Sequence, residues 1–236
     1  MKTVEPRVGV ILAAAGRSQR FGDPTAKKPF VDLAGKAVWL HSAEQFRSHP
    51  QVSKIVMVIH NEDRAFIEQE YAGELERLAV TLVEGGQERA DSVECGLRAM
   101  GNDIKFVAVH DAARPCIDQK MLTDAFTAAM LHGAAAIGIP VTSTLKKVGA
   151  DGKVSETVDR RGIWMSQTPQ VASRAWLVEA FGSRSGEQPT DEAQLLEQAG
   201  RDVFMVEGSP LNLKITALPD LKLSLIHISE PTRHRG

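Results

Sequence analysis

The sequence predicts an α/β fold, with a mostly parallel central sheet covered by helices on both faces. Short apolar runs of strand length recur at residues 8–12, 54–59, 79–83, 105–109 and 134–139. Amphipathic, helix-length stretches separate them, and this alternation implies parallel strands joined by crossover helices. The most polar motifs follow strand ends, which is where such sheets hold their ligands.

Each element has its own signal. Residues 8–12 are almost continuously apolar, as a strand buried on both faces requires. Residues 36–48 read as a helix, with Val38, Leu40, Ala43 and Phe46 on one broad face. A second buried strand spans 54–59. A charged helix covers 62–78, with a break expected near Gly73. The third strand, 79–83, ends at Gly85-Gly86, and a helix spans 90–100. The fourth strand, 105–109, ends in His110-Asp111, and Asp118 is the expected N-cap of the next helix. The fifth strand is 134–139. Segment 140–164 breaks the rhythm. Residues 142–148 and 153–158 flank Gly149-Ala150-Asp151-Gly152, a β-hairpin pattern with an Asp-Gly turn. It is too polar for core, so it is either a surface hairpin or an arm that docks on a second subunit. Helices at 173–181 and 190–199 follow, then short strands at 203–206 and 213–216. Thr190-Asp191-Glu192 is a helix start with acids in the first turn, and that structural role is sufficient for Glu192. The string 223–233 resembles the translation of a sequencing-library adapter. Residues 1–222 are therefore expected to form a single domain and 223–236 a non-native tail. The other reading of that tail is a C-terminal helix with Leu221, Leu225 and Ile228 on one face.

Composition narrows the function classes. The 236 residues are 43% apolar and 25% charged, with net charge −2, an ordinary globular balance. Near-neutral charge gives no case for nucleic acid or a membrane surface. The apolar runs are too short to span a bilayer, residues 1–7 lack a signal-peptide core, and the cytoplasm is the expected compartment. Cys95 and Cys116 make neither a disulfide framework nor zinc spacing, and are expected to be buried thiols.

Three motifs carry chemistry. After the first strand come Ala13-Ala14-Ala15-Gly16, then Arg17 and Arg20, then Lys27-Lys28. Small residues let the backbone approach a ligand, and fixed cations offset phosphate charge, which suits a nucleoside triphosphate. The spacing is neither G-x-G-x-x-G nor G-x-x-x-x-G-K-[ST], which argues against a nicotinamide dehydrogenase and a P-loop ATPase. In the block 85–93, Gly85 and Gly86 let main-chain groups reach a planar base, and Ser92 can hydrogen-bond from the first helical turn. Arg89 holds that loop or meets an acid, and a plain tight turn with a helix cap fits the block equally well. In 109–115, Asp111 at a buried strand tip is costly unless paired or bound to a cation. It is placed to hold Mg²⁺ against a triphosphate, while Arg114 either pairs with it or binds a phosphate of a second substrate.

These blocks, with Thr144, Thr157-Val158-Asp159-Arg160, Gln167-Thr168-Pro169-Gln170, Thr190-Asp191-Glu192 and Lys214-Ile215-Thr216, recur in one order. Over residues 6–222 the chain resembles the 2-C-methyl-D-erythritol 4-phosphate cytidylyltransferase family of the non-mevalonate isoprenoid pathway. The resemblance implies a Rossmann-like nucleotidyltransferase fold with a protruding β-hairpin arm, 140–164, and a homodimer. It implies that Arg20 and Lys28 stabilise charge on the α-phosphate of CTP, with Lys27 beside Lys28 able to substitute for it, and that Lys214 is a third catalytic cation, which would also face the metal-bound triphosphate. Ala13, Ala14, Gly16, Gly85, Ser92 and Asp111 would surround CTP and its Mg²⁺, with Asp111 as the metal ligand. Arg114, Thr168 and Lys214 would face the polyol phosphate, and Thr144 and Arg160 would reach the other subunit's site. The chain departs from the family where a proline often stands at 12 or 13, in Lys28-Pro29-Phe30, and at Gln87, where many members carry an acid. A sister cytidylyltransferase acting on ribitol 5-phosphate would share the CTP half. A catalytically silent nucleotide-binding homologue is the reading of a different class. No histidine is assigned as a general base, and His110 is read as structural.

Overall fold

The computed structural model describes residues 7–16, 28–185 and 188–229. Arg17, Arg20 and Lys27 lie outside the described residues.

The strands are β1 (Val8–Ala13), β2 (Asp32–Leu33), β3 (Lys36–Ala37), β4 (Val52–Ile59), β5 (Val80–Glu84), β6 (Phe106–Asp111), β7 (Ala134–Pro140), β8 (Leu145–Val148), β9 (Val154–Val158), β10 (Trp164–Ser173) and β11 (Phe204–Glu207). The helices are α1 (Val38–Ser48), α2 (Arg64–Glu70), α3 (Ala72–Leu78), α4 (Arg89–Arg98), α5 (Gln119–His132), α6 (Arg174–Gly182), α7 (Glu192–Gln198) and α8 (Leu218–Ser229). Seven strands form one sheet in the order β11-β7-β10-β6-β1-β4-β5. β1 pairs in parallel with both β4 and β6, and β7 with β11, while β10 runs antiparallel between β6 and β7. The sheet is therefore mostly parallel, as the alternation predicts. Strand order reverses at β1, so its carboxyl end faces the crevice where open α/β sheets bind ligands.

Successive residues of β1 and β4 serve opposite cores. Val10 and Leu12 pack with Trp39, Phe46, Leu122 and Phe126 of α1 and α5. Ile11, Val56 and Val58 pack on the other face with Val93 and Leu97 of α4, Leu177 and Phe181 of α6, and Leu195 and Leu196 of α7. Gly96 is small for a packing reason: a Cβ there would lie 2.9 Å from both Ile11 and Val58, so α4 rests directly on the sheet.

Several boundaries differ from the sequence reading. The expected 36–48 helix begins only at Val38, because Lys36–Ala37 pairs with Asp32–Leu33. The 62–78 helix divides at Tyr71 rather than at Gly73. The chain at 164–173 is a ten-residue strand in the middle of the sheet, where no strand is expected from sequence. Conversely, 213–216 is not a strand. Its Ile215 N–H bonds to Ala113 O, in the loop beyond β6, so it is tied to that loop instead of to a ladder. Cys95 and Cys116 are half-buried rather than buried. Asp118 does cap α5, its carboxylate accepting from Met121 N at 2.8 Å. The hairpin forms as β8 and β9, with Val148 and Val154 exposed. Among the described residues, no helix is long and apolar enough to cross a membrane.

Candidate active site

Two cavities open at the carboxyl ends of the parallel strands. The larger, about 760 Å³, is lined by Ala13, Ala14 and Gly16 after β1, Lys28, His60 after β4, Gln87 to Arg89 and Ser92 after β5, Asp111 at the end of β6, and Lys214. The smaller, about 200 Å³, is lined by Arg114, Gln167, Thr168, Gln170 and Asp191. Arg89, Asp111 and Lys214 line both cavities and so form the partition between them.

The first cavity is built from close backbone approach. Ala14 N–H bonds to Val58 O and Ala112 N–H to Ala13 O, which carries sheet pairing up to the rim. Ala13 through Gly16 then present little side chain. The paired glycines have a second purpose beyond approach to a base. A Cβ on Gly85 would lie 2.7 Å from Ser92 Oγ, and one on Gly86 would lie 2.4 Å from Asp91 Cβ. The loop is thus folded tightly onto the first turn of α4. There Glu88 N donates to Asp91 Oδ2, and Ser92 Oγ donates to Gly86 O at 3.4 Å.

Asp111 is the electrostatic centre. Its side chain is only 10% exposed, with Lys214 Nζ at 2.9 Å, Arg114 Nε at 3.5 Å and Arg89 Nη2 at 3.7 Å. Burial alone would raise its pKa, but Lys214, Arg89 and Arg114 overcome this and hold it at about 2. The Asp111–Arg114 pair and the approach of Lys214 are therefore both present. Arg114 also donates to Asn212 O at 2.7 Å, which fixes its guanidinium beside the smaller cavity.

A chain of hydrogen bonds sets this geometry from below. Asp111 N donates to Thr168 Oγ1 at 3.0 Å, and that hydroxyl lies 3.2 Å from His110 Nδ1. His110 Nε2 lies 3.0 Å from Arg114 O. The carbonyl can only accept, so Nε2 carries the proton and Nδ1 accepts from the Thr168 hydroxyl. His110 is fully buried, and burial lowers its pKa to about 4, so it is neutral and structural. Thr168 sits in β10, next to β6, which is why the unexpected strand matters to the site.

The other predicted residues divide. Lys28, Ser92, Arg114, Thr168 and Lys214 line one or both cavities with Asp111, whereas Gly85 lines neither and packs against Ser92. Thr144 and Arg160 line neither cavity, and Arg160 Nη1 instead donates to Thr142 O. Sequence reasoning gave no site role to Glu192, whose carboxylate takes Arg89 in a bidentate pair at 2.7 and 3.0 Å. Nor did it find Gln170, which bonds Ser166 Oγ and Asp191 Oδ2, or Asn212, which bonds Thr168 O. Gln170 lies inside a motif quoted above; Asn212 carries no comparable signal.

Among the described residues, no three His, Cys, Asp or Glu side chains converge as a metal cage. A single carboxylate beside a cleft does fit Mg²⁺, which takes one or two carboxylates and draws its remaining ligands from phosphate and water.

The model of the family described as 2-C-methyl-D-erythritol 4-phosphate cytidylyltransferase matches residues 8–229. The chain belongs to that family. The cytidylyltransferase of this name from Symbiobacterium thermophilum is 38% identical over 230 residues, covering 96% of this chain and 94% of the relative. The bifunctional IspD/IspF enzyme of Desulfotalea psychrophila is 38% identical over 91% of this chain. The chain spans 55% of that enzyme's length, about half. The crystal structure of the cytidylyltransferase from Thermus thermophilus aligns with a TM-score of 0.76 at 27% identity, covering 93% of this chain and 98% of that one. The fold is therefore the Rossmann-like nucleotidyltransferase fold of this cytidylyltransferase family.

Proposed function

We propose that this chain transfers CMP from CTP to 2-C-methyl-D-erythritol 4-phosphate, giving 4-diphosphocytidyl-2-C-methyl-D-erythritol and pyrophosphate in the non-mevalonate isoprenoid pathway. The observation that carries this reading is the pair of cavities meeting at Arg89, Asp111 and Lys214, in a chain of this family. The larger cavity suits the nucleotide and the smaller one the acceptor, whose phosphate would meet the α-phosphate of CTP at the partition.

In this reading Ala13, Ala14, Gly16, Gly85 and Ser92 surround CTP, with main-chain groups approaching where side chains are small. A phosphate oxygen of the acceptor attacks the α-phosphorus, the bond from that phosphorus to the bridging oxygen breaks, and pyrophosphate leaves. The attacking phosphate is already anionic at neutral pH, so neither a general base nor a protein nucleophile is needed. Repulsion between two anions is the obstacle, and it is met by positioning and fixed positive charge. Lys28 and Lys214 supply that charge, joined by Arg20 from outside the described residues. Arg114 and Thr168 hold the acceptor side. Asp111 would hold Mg²⁺, which when bound would supply further neutralisation of the triphosphate charge. Thr144 and Arg160 serve the partner's site in a homodimer docked through the 140–164 arm, and the exposed Val148 and Val154 support such a covered arm. The enzyme works in the cytoplasm, and residues 223–236 are a non-native tail.

Pyrophosphate release from CTP in Mg²⁺ tests the proposal, with methylerythritol phosphate in one tube and ribitol 5-phosphate in another. Release with the first alone is expected. Release with the second alone would overturn the acceptor. Silence with both, also in a chain ending at Lys222, would overturn the transferase reading.

A further inference from the structure

Arg89 and Glu192 are 103 residues apart in sequence, yet they make the tightest charged contact at the partition. Glu192 is the first residue of α7, and its side chain is 4% exposed. Arg89 is the first residue of α4 and is 31% exposed at the side chain, open to both cavities. Its two terminal nitrogens bind the two Glu192 oxygens at 2.7 and 3.0 Å, while its approach to Asp111 is looser, at 3.7 Å. A guanidinium has a planar fork that prefers a bidentate carboxylate. Two buried carboxylates compete for it here, and Glu192, with both oxygens in hydrogen-bond reach, holds it.

The consequence is specific. Were Glu192 absent, the nearest carboxylate to capture the fork would be Asp111. Asp111 would then be engaged by Arg89 as well as by Lys214 and Arg114, and less available to a metal or to incoming phosphates. With Glu192 in place, the cation stays at the junction of the cavities without closing on Asp111. Helix starts and their acids account for Glu192 locally, but not for its meeting Arg89 between two cavities.

We infer that Glu192 is a positioning residue that anchors Arg89 as a fixed cation between the nucleotide and acceptor cavities while keeping it from capturing Asp111. The inference rests on the proposed function and adds two residues to it. Arg89 acts on the phosphates directly, and Glu192 acts through Arg89.

The test is a double-mutant cycle of Arg89→Gln, Glu192→Gln and both together. Three readouts are taken: melting temperature, calorimetric affinity for CTP in Mg²⁺, and kcat. Each single variant is expected to lower kcat by roughly 10–100-fold, the usual cost of losing a supporting partner in a site. The double variant is expected to cost no more than the worse single change, because one residue works through the other. Lowered melting temperatures with wild-type kcat and CTP affinity would make the pair a scaffold brace and overturn the inference. Losses in kcat that multiply in the double variant would overturn the coupling. Should either single variant fail to fold, Arg89→Lys replaces it. Lysine keeps the charge but cannot span both Glu192 oxygens, so a folded protein with lowered kcat is expected, and wild-type kcat would overturn the inference. If the wild-type chain transfers no CMP, the proposed function fails and CTP affinity alone decides. Weaker, non-additive binding across the cycle would still support the anchor, and unchanged binding would refute it.

Discussion

Replacing Asp111 with asparagine should expose how much of this site's stability is electrostatic. The native carboxylate ordinarily titrates near 3.8 and here is held at about 2, because Lys214, Arg89 and Arg114 outweigh the opposing effect of burial. A lowered folded-state pKa stabilises the fold above the unfolded value, and that stability is lost as pH falls through the folded value. At roughly 1.4 kcal/mol per pH unit, the displacement is worth about 2 kcal/mol at neutral pH. Asp111→Asn keeps the shape and removes the charge. It also leaves three cations within 3.7 Å of a neutral amide. Urea unfolding of both proteins at stepped pH is the assay. The wild-type protein should be more stable than the variant by about 2 kcal/mol at pH 7. The gap should hold down to about pH 4 and close as the pH approaches 2. A gap that stays constant between pH 5 and pH 2, or no gap at pH 7, would refute the assignment of Asp111 as the charge that holds the three cations together.

Three further tests probe neighbouring parts. Thr168→Val would leave Asp111 N–H and His110 Nδ1 without their shared hydroxyl, at a cost of about 1–3 kcal/mol in urea unfolding, whereas Thr168→Ser should restore most of it; a loss in the serine variant with none in the valine variant would place the role of Thr168 in its methyl group. His110 has an ordinary value of 6.5 lowered by burial to about 4, so the unfolded chain takes up its proton first as pH drops. Stability should therefore fall from pH 6.5 toward pH 4, and the His110 ring resonances should not titrate between pH 5 and 8 in the folded protein; a midpoint near 6.5 would contradict a buried neutral ring. Lys28→Ala and Lys214→Ala should each lower kcat by roughly 10²–10³, the cost of one lost transition-state contact, and wild-type kcat in either would remove that lysine from the chemistry.

The parallel half of the fold is readable from sequence because strands buried on both faces must be apolar. β1, β4, β6 and β7 announce themselves in that way. β10 does not. It carries Pro169 and the polar Ser166, Gln167, Thr168 and Gln170, a composition that argues against a central strand. It can lie there because partners elsewhere satisfy those side chains: Ser209 O takes Gln167, Asp111 N reaches Thr168, and Asp191 takes Gln170. Such partners are 21 to 57 residues away, and no local pattern reveals them.

The site divides along the same line. Asp111 and Arg114 stand in one motif whose chemistry is local, an acid at a strand tip and a cation three residues on, whereas Lys214 is assigned through the family resemblance and reaches Asp111 only in the fold. Glu192 reads correctly as part of a helix start, and α7 does begin there. Its second role depends on α7 packing on α6, which packs on α4, so that Leu195 and Leu196 share one core with Val93 and Leu97. Tertiary packing, and not spacing, brings that carboxylate to Arg89.

The proposed meeting of two phosphates at the Arg89–Asp111–Lys214 partition implies transfer in a single displacement. The stereochemical course at the α-phosphorus tests this directly, using one diastereomer of CTP carrying sulfur on that phosphorus and methylerythritol phosphate as acceptor. Direct attack by the acceptor predicts product with inverted configuration. Retained configuration would mean two displacements through a covalent protein intermediate, and would contradict a site in which fixed cations and position do the chemistry.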